Sequence, residues 1–333
     1  MAYDPALPNI MRDAHNPLRF LAFAPMLLLR RKESNMEREY WAEISAAISL
    51  VDLDFVDNPD FEHSTALVVR AHVWATLHDR PTSWACAGTS WDRRTRPPAL
   101  PSQPTMSRRL RTEEFTQFMT ALEGRLRHLP GAGKLFKRLD GKPLPVAAHS
   151  TDPDAGWGRG AGQKAKGYKL HAVWAGGAMP ERWRVAPLDV SEQEMARRML
   201  RDLDTPGYVA ADKNYDANRL FDAAAARDNQ LLCPRRYGEA CGLGHRRHSP
   251  QRLRSKDLLE APTRRLTRFG PTVMRHRTQI ERDFGNCVSF GGGLQGLPAW
   301  VRRYRRVKNW VWAKLMVNAA RIRINHRKSR SDE

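Results

Sequence analysis

Cysteine is scarce in this sequence, with four residues in 333: Cys86, Cys233, Cys241 and Cys287. That excludes a disulfide framework. Cys233 and Cys241 are followed by His245 and His248, but the spacing matches no standard zinc pattern. It predicts a buried strand cysteine and a solvated basic loop instead. Long apolar runs are also missing. The best candidate, "FLAFAPMLLL" at 20–29, contains Pro25 and has about half of the roughly 20 residues a membrane helix needs. It starts late and ends in Arg30 and Arg31 without a small-residue cleavage site, unlike a signal peptide. A cytoplasmic protein without a membrane partner is the expectation. Acid is short relative to base: 36 Asp and Glu against 56 Lys and Arg, a net charge of +20. Such an excess favours a polyanionic partner, nucleic acid first. The shortage is sharpest at 301–330, which holds eleven Lys or Arg and no acid.

Two regions are expected. The first, 1–136, reads as mostly helical. "NMEREYWAEISAAISLV" (35–51) carries Tyr40, Trp41, Ile44, Ile48 and Val51 at helical spacing. "STALVVRAHVWATLH" (64–78) is a second helix, and Phe115, Phe118, Met119, Leu122 and Leu126 mark a third. Between them, 80–111 is rich in Pro, Ser, Arg and Trp and reads as an extended basic connection.

The second region, 137–333, alternates differently. Strand-like segments at 138–148, 168–175 and 181–188 come first, the last two joined through Gly176 and Gly177. A helix at 191–203 follows, opened by Ser191 and Glu194 in capping-box spacing. Then come a strand into Asp212, a helix at 217–228, a strand at 230–236, a basic loop at 237–269, and helices at about 272–287 and 298–326. Hairpin-linked strands followed by alternation predict an α/β fold with a mixed sheet flanked by helices. The order is that of the ribonuclease H fold.

Three acids occupy suggestive places. Asp140 lies in the first strand, Asp212 ends the fourth, and Glu281 lies in a late helix four residues after Arg277. If the first and fourth strands are neighbours, Asp140 and Asp212 meet at the sheet rim, where α/β folds place their sites. Clustered carboxylates suit hard divalent cations. Two such ions about 4 Å apart serve phosphodiester chemistry. Taken singly, each acid has an ordinary reading: Asp140 a turn residue, Asp212 a helix cap, Glu281 an ion-pair partner of Arg277.

The stretches "LDGKPLPVAAHSTDPDAGWGRGAGQKAKGYKLHAVW" (139–174), "YVAADKNYDA" (208–217) and "RTQIERDFGNCVSFGGGLQGLPAWVRRYRRVKNWV" (277–311) together resemble bacterial insertion-sequence transposases of the DDE class. The resemblance implies a catalytic triad of Asp140, Asp212 and Glu281 that holds two Mg²⁺ ions, replaceable by Mn²⁺. It also implies strand cleavage at the element's ends and transfer of the exposed 3′-hydroxyl into target DNA. Arg277 matches the arginine of the family's signature helix. Met274 and Val288 stand where that signature often has tyrosine and lysine. Asp152 and Asp154 are rivals to Asp140 for the first position but lack strand support.

The expected partner is double-stranded DNA, both terminal inverted repeats and target, in the bacterial nucleoid, with a homodimer assembled on it. The glycine-rich segment 156–169 offers Arg159, Lys164, Lys166 and Lys169 to phosphate. The last helix offers Arg302, Arg303, Arg305, Arg306 and Lys308, with one face packed and the other on DNA. Trp84, Trp91 and Trp157 are candidates to stack on bases, although core packing is the expectation for most of them. Two other readings remain: a ribonuclease H-like nuclease that does not join strands, and an inactive transposase-derived DNA-binding protein.

Overall fold

The computed structural model describes residues 36–160, 162–237, 248–260, 269–290, 293–294 and 296–331. Helix α1 occupies 36–52 and buries Tyr40, Trp41, Ile44, Ile48 and Val51, the stripe its spacing predicts. Helix α2 (Thr65–Leu77) starts at Ser64, whose side chain accepts from the Leu67 amide. Helix α5 (Glu113–Arg127) buries its five predicted apolar residues. The segment between is more regular than its composition predicts. It holds the short helices α3 (Thr82–Ala85) and α4 (Gln103–Arg109). Ser102 caps α4 and proline sits in its first turn, a position where a missing amide N–H costs nothing.

The sheet has strands β1 (Phe136–Pro145), β2 (Gly156–Gly160), β3 (Gln163–Trp174), β4 (Arg182–Pro187), β5 (Gly207–Ala210) and β6 (Asn229–Leu232). Its order is β2-β3-β1-β5-β6, with β4 also on β3. β1, β3 and β4 pair antiparallel, while β1, β5 and β6 run parallel. This is the mixed, ribonuclease H-like sheet expected. Strand β2 is the addition. The segment read as a glycine-rich loop is instead a β2–β3 hairpin, registered from Gly156↔Gly167 to Gly160↔Gln163.

Alternation sorts the sheet's two faces. On one, Leu139, Val173, Val209, Ala211 and Leu231 pack against helices α6 (Glu192–Arg201) and α7 (Asn218–Ala225). On the other, Ala210 and Leu232 meet α9 (Phe269–Val288) through Val273, with Leu258 of α8 (Pro250–Glu260) beside them. Helix α8 falls within the segment expected to be loop. A large core joins α1, α2 and α5 to the sheet through α10 (Tyr304–Ser331).

Helix α10 departs from its sequence reading. From Asn309 to Ala320 every residue is buried, and each fully buried Val, Leu or Met there contributes about 1.5–3 kcal/mol. A segment so enclosed has no face for phosphate. Lys314 is buried and paired with Asp79 at 2.6 Å. Arg323 and Arg327 pair with Glu43 at 2.7 and 2.6 Å, and Lys328 with Glu39 at 2.7 Å. The acid missing from 301–330 is thus supplied by α1 and the turn after α2.

Candidate active site

The parallel register of β1 and β5 builds the centre of the site. Phe136, Lys137 and Arg138 face Tyr208, Val209 and Ala210. The same offset, continued two residues, sets Asp140 beside Asp212 just past the end of β5. Asp140 is half-buried, and its Oδ1 accepts from the Gly141 amide at 2.7 Å. Its carboxyl lies above the usual carboxylate range. Burial is the main cause and Asp212's charge adds to it, while the Gly141 amide, Arg277 and Lys169 oppose it.

Asp212 also caps a single 3-10 turn, Lys213–Tyr215. Its Oδ1 accepts from the Asn214 amide at 2.8 Å and its Oδ2 from the Asn214 side chain at 3.0 Å. Beneath the pair lies Tyr215, whose buried hydroxyl has no hydrogen-bond partner and is pushed well up, by burial first and then by both aspartates. Buried His171 on β3 has neither ring nitrogen partnered, and burial lowers its pKa to about 4.

Helix α9 crosses the Asp140 face of β1. Phe136 stacks on His276 with ring centroids 5.1 Å apart, and Arg138 pairs with Asp283 at 2.8 Å. Arg277 is near enough for its charge to act on Asp140. Glu281 follows one turn later on the same stripe but is exposed. Among the described residues no three His, Cys, Asp or Glu side chains lie close enough to hold a metal ion. The structure therefore brings Asp140 and Asp212 together and leaves Glu281 outside. The α9 acid that does reach the sheet is Asp283, which the sequence reading missed. Its three-residue spacing from buried Ile280 was the available signal.

Asp152 and Asp154 have a different task. Asp152 Oδ2 accepts from the Tyr168 hydroxyl at 2.9 Å and the Arg303 amide at 3.0 Å; Asp154 Oδ2 accepts from the Tyr304 amide at 2.9 Å. They anchor the start of α10, where free amides and the helix dipole favour negative charge. Arg303, in the left-handed region at φ 73°, makes the turn into that helix.

The predicted phosphate contacts divide. Arg159 and Lys164 are exposed on the β2–β3 hairpin, and alternation sets them on one face with Trp157 and Lys166. Lys164 lies 5.7 Å from the Trp157 ring centroid. Lys166 donates to the Ser150 carbonyl at 2.7 Å. Arg303, Arg305 and Arg306 are exposed; Arg305 donates to the Arg111 carbonyl at 2.9 Å. Arg302 donates to the Pro298 carbonyl at 2.7 Å, and Lys308 sits 5.5 Å over Trp312. Lys169 turns inward to pair with Glu192. Of the three tryptophans weighed for base stacking, most of them expected in the core, Trp91 is core, Trp84 is packed against it, and Trp157 is 49 % exposed. Of the zinc candidates, Cys241 and His245 lie outside the described residues. Cys233 is buried with its thiol donating to the Asp212 carbonyl at 2.8 Å, and His248 meets Arg252.

A mixed sheet in this order, with one carboxylate within β1 and one just past the end of the neighbouring β5, is a ribonuclease H-like arrangement. The chain belongs to the Transposase DDE domain family, whose profile matches residues 137–317, more than half of its length. It is a DNA transposase, and enzymes of this family generally use divalent metal ions. No curated protein matches. A solved structure of the piggyBac transposase synaptic complex with hairpin DNA is similar over 89 % of this chain and 74 % of that one, with 10 % identity and a TM-score of 0.44. Among the described residues no helix is long and apolar enough to cross a membrane.

Proposed function

We propose that Asp140, Asp212 and Glu281 together bind two Mg²⁺ ions, or Mn²⁺ in their place, and that the protein cuts DNA at an element's ends and joins them to target DNA. The observation that supports this most directly is the shared register of Asp140 and Asp212 at the rim. Two carboxylates set side by side and partly desolvated repel one another, as the raised Asp140 carboxyl reflects. Their oxygens are the hard ligands a divalent cation prefers. Bound there, such ions supply Lewis acidity for an in-line displacement at phosphorus.

The chain's own residues position the reaction. Asp140 and Asp212 hold one side of the site, and Glu281 approaches from the stripe of α9 that carries Arg277. In the first step a water oxygen forms a bond to phosphorus, the bond to the 3′-oxygen breaks, and that oxygen leaves as a hydroxyl. In the second the same hydroxyl attacks a target phosphate and displaces its 3′-oxygen. Arg159, Lys164 and Lys166 on the hairpin, Arg277, and Arg302, Arg303, Arg305, Arg306 and Lys308 around the start of α10 line the path of the double strand. The N-terminal region 1–136 is the DNA-binding region, and two copies assemble on terminal inverted repeats in the bacterial nucleoid.

The second reading, an inactive DNA-binding descendant, is favoured by the exposed Glu281 and by Met274 and Val288. Cleavage of a supercoiled plasmid carrying the element's ends separates the two. Wild type should cut with Mg²⁺, and Asp212→Asn should not, although Asn still caps its turn. Normal cleavage by Asp212→Asn would show that the aspartate is only a cap. No cleavage by wild type would favour the inactive descendant.

A further inference from the structure

Strand β2 reads Gly-Trp-Gly-Arg-Gly. Its three glycines fall on one face, and that face has no room for side chains. A Cβ added at Gly156 would collide with the Asp189 side chain, and one at Gly158 with the Leu188 carbonyl oxygen. The strand therefore lies flat on the segment after β4 and carries side chains on its other face alone, Trp157 and Arg159. Across the hairpin these two are paired with Lys166 and Lys164. The Lys164 ammonium, 5.7 Å from the Trp157 ring centroid, is within cation–π reach. The hairpin thus holds a half-exposed indole in a fixed place among three cations instead of burying it.

The same face of the sheet carries Asp140. Lys164, Lys166, Tyr168, Leu170 and Ala172 alternate onto it along β3, and Ala172 is the register partner of Asp140. The strand from Lys166 to Ala172 spans about 20 Å. Helix α10 begins over this stretch: Asp152 accepts from the Tyr168 hydroxyl and the Arg303 amide, and Asp154 from the Tyr304 amide. Both acids are taken up by that anchoring, while Arg303, Tyr304 and Arg306 are exposed. Among the described residues the exposed large aromatics are Trp157, Tyr237, Trp300 and Tyr304. All but Tyr237 belong to the hairpin or to the approach to α10. Open rings interleaved with cations are what an unstacked strand binds. A fully paired duplex offers phosphates to the cations but no base face to a ring, because its bases are stacked on one another.

We propose that the β2–β3 hairpin is a stacking platform for an unpaired DNA base, with Trp157 under the base and Arg159 and Lys164 on the phosphates beside it. Arg303 and Tyr304 continue the track towards Asp140. The proposal rests on the reading of this face as the path of the DNA and deepens it: the hairpin selects a place where the double strand has opened. A base held on Trp157 and a phosphate at Asp140 are joined by about six nucleotides of stacked strand, at a rise of roughly 3.4 Å each.

The test uses the full chain without divalent metal, so that nothing is cut. The probes carry 2-aminopurine in a single strand, as an unpaired bulge in a duplex, or within a fully paired duplex of the same sequence. Affinity is read from anisotropy and stacking from quenching of the 2-aminopurine emission. Wild type should bind the bulged duplex roughly tenfold more tightly than the paired one, the scale of one base stacked on one ring, and should quench the probe in both the bulge and the single strand. Trp157→Ala should lose the preference and the quenching, keep its affinity for the paired duplex, and melt with wild type. Trp157→Phe should restore much of both. Lys164→Ala should weaken paired and bulged duplexes alike. Equal affinity of wild type for paired and bulged duplexes, or equal loss on both from Trp157→Ala, would overturn the platform. A Trp157→Ala protein that melts well below wild type would show the ring to be structural and overturn it as well. No binding of any probe by wild type would remove the DNA path itself, and this inference with it.

Discussion

Asp216 lies four residues after Asp212, and substitution there should have the opposite consequence. Its side chain is 1 % exposed and meets Arg252 at 2.8 Å and Lys256 at 3.0 Å, while the Arg236 amide donates to it at 3.0 Å. Burial alone would raise its carboxyl. Arg252, the Arg236 amide and Lys256 outweigh that and hold it at about 2, against an ordinary 3.8. At 1.36 kcal/mol per pH unit, the lowering is linked to about 2 kcal/mol of stability. Asp216→Asn costs more than that, because it leaves two cations buried without their acid; breaking a buried pair costs about 3–5 kcal/mol. The melting temperature at pH 7 should fall by roughly 5–15 °C.

The pH dependence has a definite sign. A carboxyl whose folded pKa is depressed contributes stability that is complete above the unfolded value and is lost as pH falls through the folded one. The gap between wild type and Asp216→Asn should thus be full above about pH 4 and close towards pH 2, within the limits of linked titration. Circular dichroism melts of both proteins across that range measure it. A variant that melts within a degree of wild type at pH 7 would refute the structural role given to this network. A larger loss for Asp212→Asn than for Asp216→Asn would mean that the roles of the two acids had been exchanged.

Duplex binding should weaken steeply with salt, since displaced counterions set the slope; a flat titration between 50 and 200 mM, the range over which such contacts typically lose roughly 10³–10⁵ in affinity, would deny a phosphate interface. Gly207→Ala should lower stability by roughly 1–3 kcal/mol, the usual cost of a strained backbone. Gly207 sits at φ +144°, and a Cβ added there would meet the Leu135 carbonyl oxygen; a denaturant midpoint equal to wild type would contradict that.

Much of the fold was legible because its helices and strands advertise themselves. Apolar residues at helical spacing gave α1 and α5 their buried faces, and the hairpin-then-alternation order gave the sheet. The pairing of Asp140 with Asp212 was legible for the same reason, since it depends only on which strands are neighbours. What stayed hidden depended on tertiary partners. The run at 301–330 looks like a DNA face because its acids, Asp79, Glu39 and Glu43, are far away in sequence. Lys169 reads as one more basic residue among glycines until the antiparallel register lays its stem over Gly141. The segment 80–111 hides α3 and α4 because proline and serine, signs of a loop in the interior of an element, are ordinary at helix starts.

The position of Glu281 carries the last prediction. Helix α9 is pinned to β1 at two points, the Phe136–His276 stack and the Arg138–Asp283 pair. Those contacts hold one side of the helix, while the stripe of Arg277 and Glu281 is left to the rim. Asp283 is itself raised by burial, against the pull of Arg138, so the second pin joins groups with a desolvation cost that opposes their attraction. On the proposed metal-site reading, an ion at Asp140 and Asp212 would attract Glu281 and hold the stripe of α9 that carries it. Amide exchange across 277–284 should therefore slow when Mn²⁺ is added to wild type, and should not slow in Asp212→Asn or Glu281→Gln. Slowing that persists in Glu281→Gln would show that the glutamate is not the ligand, and equal exchange with and without metal in wild type would show that α9 does not respond to the site at all.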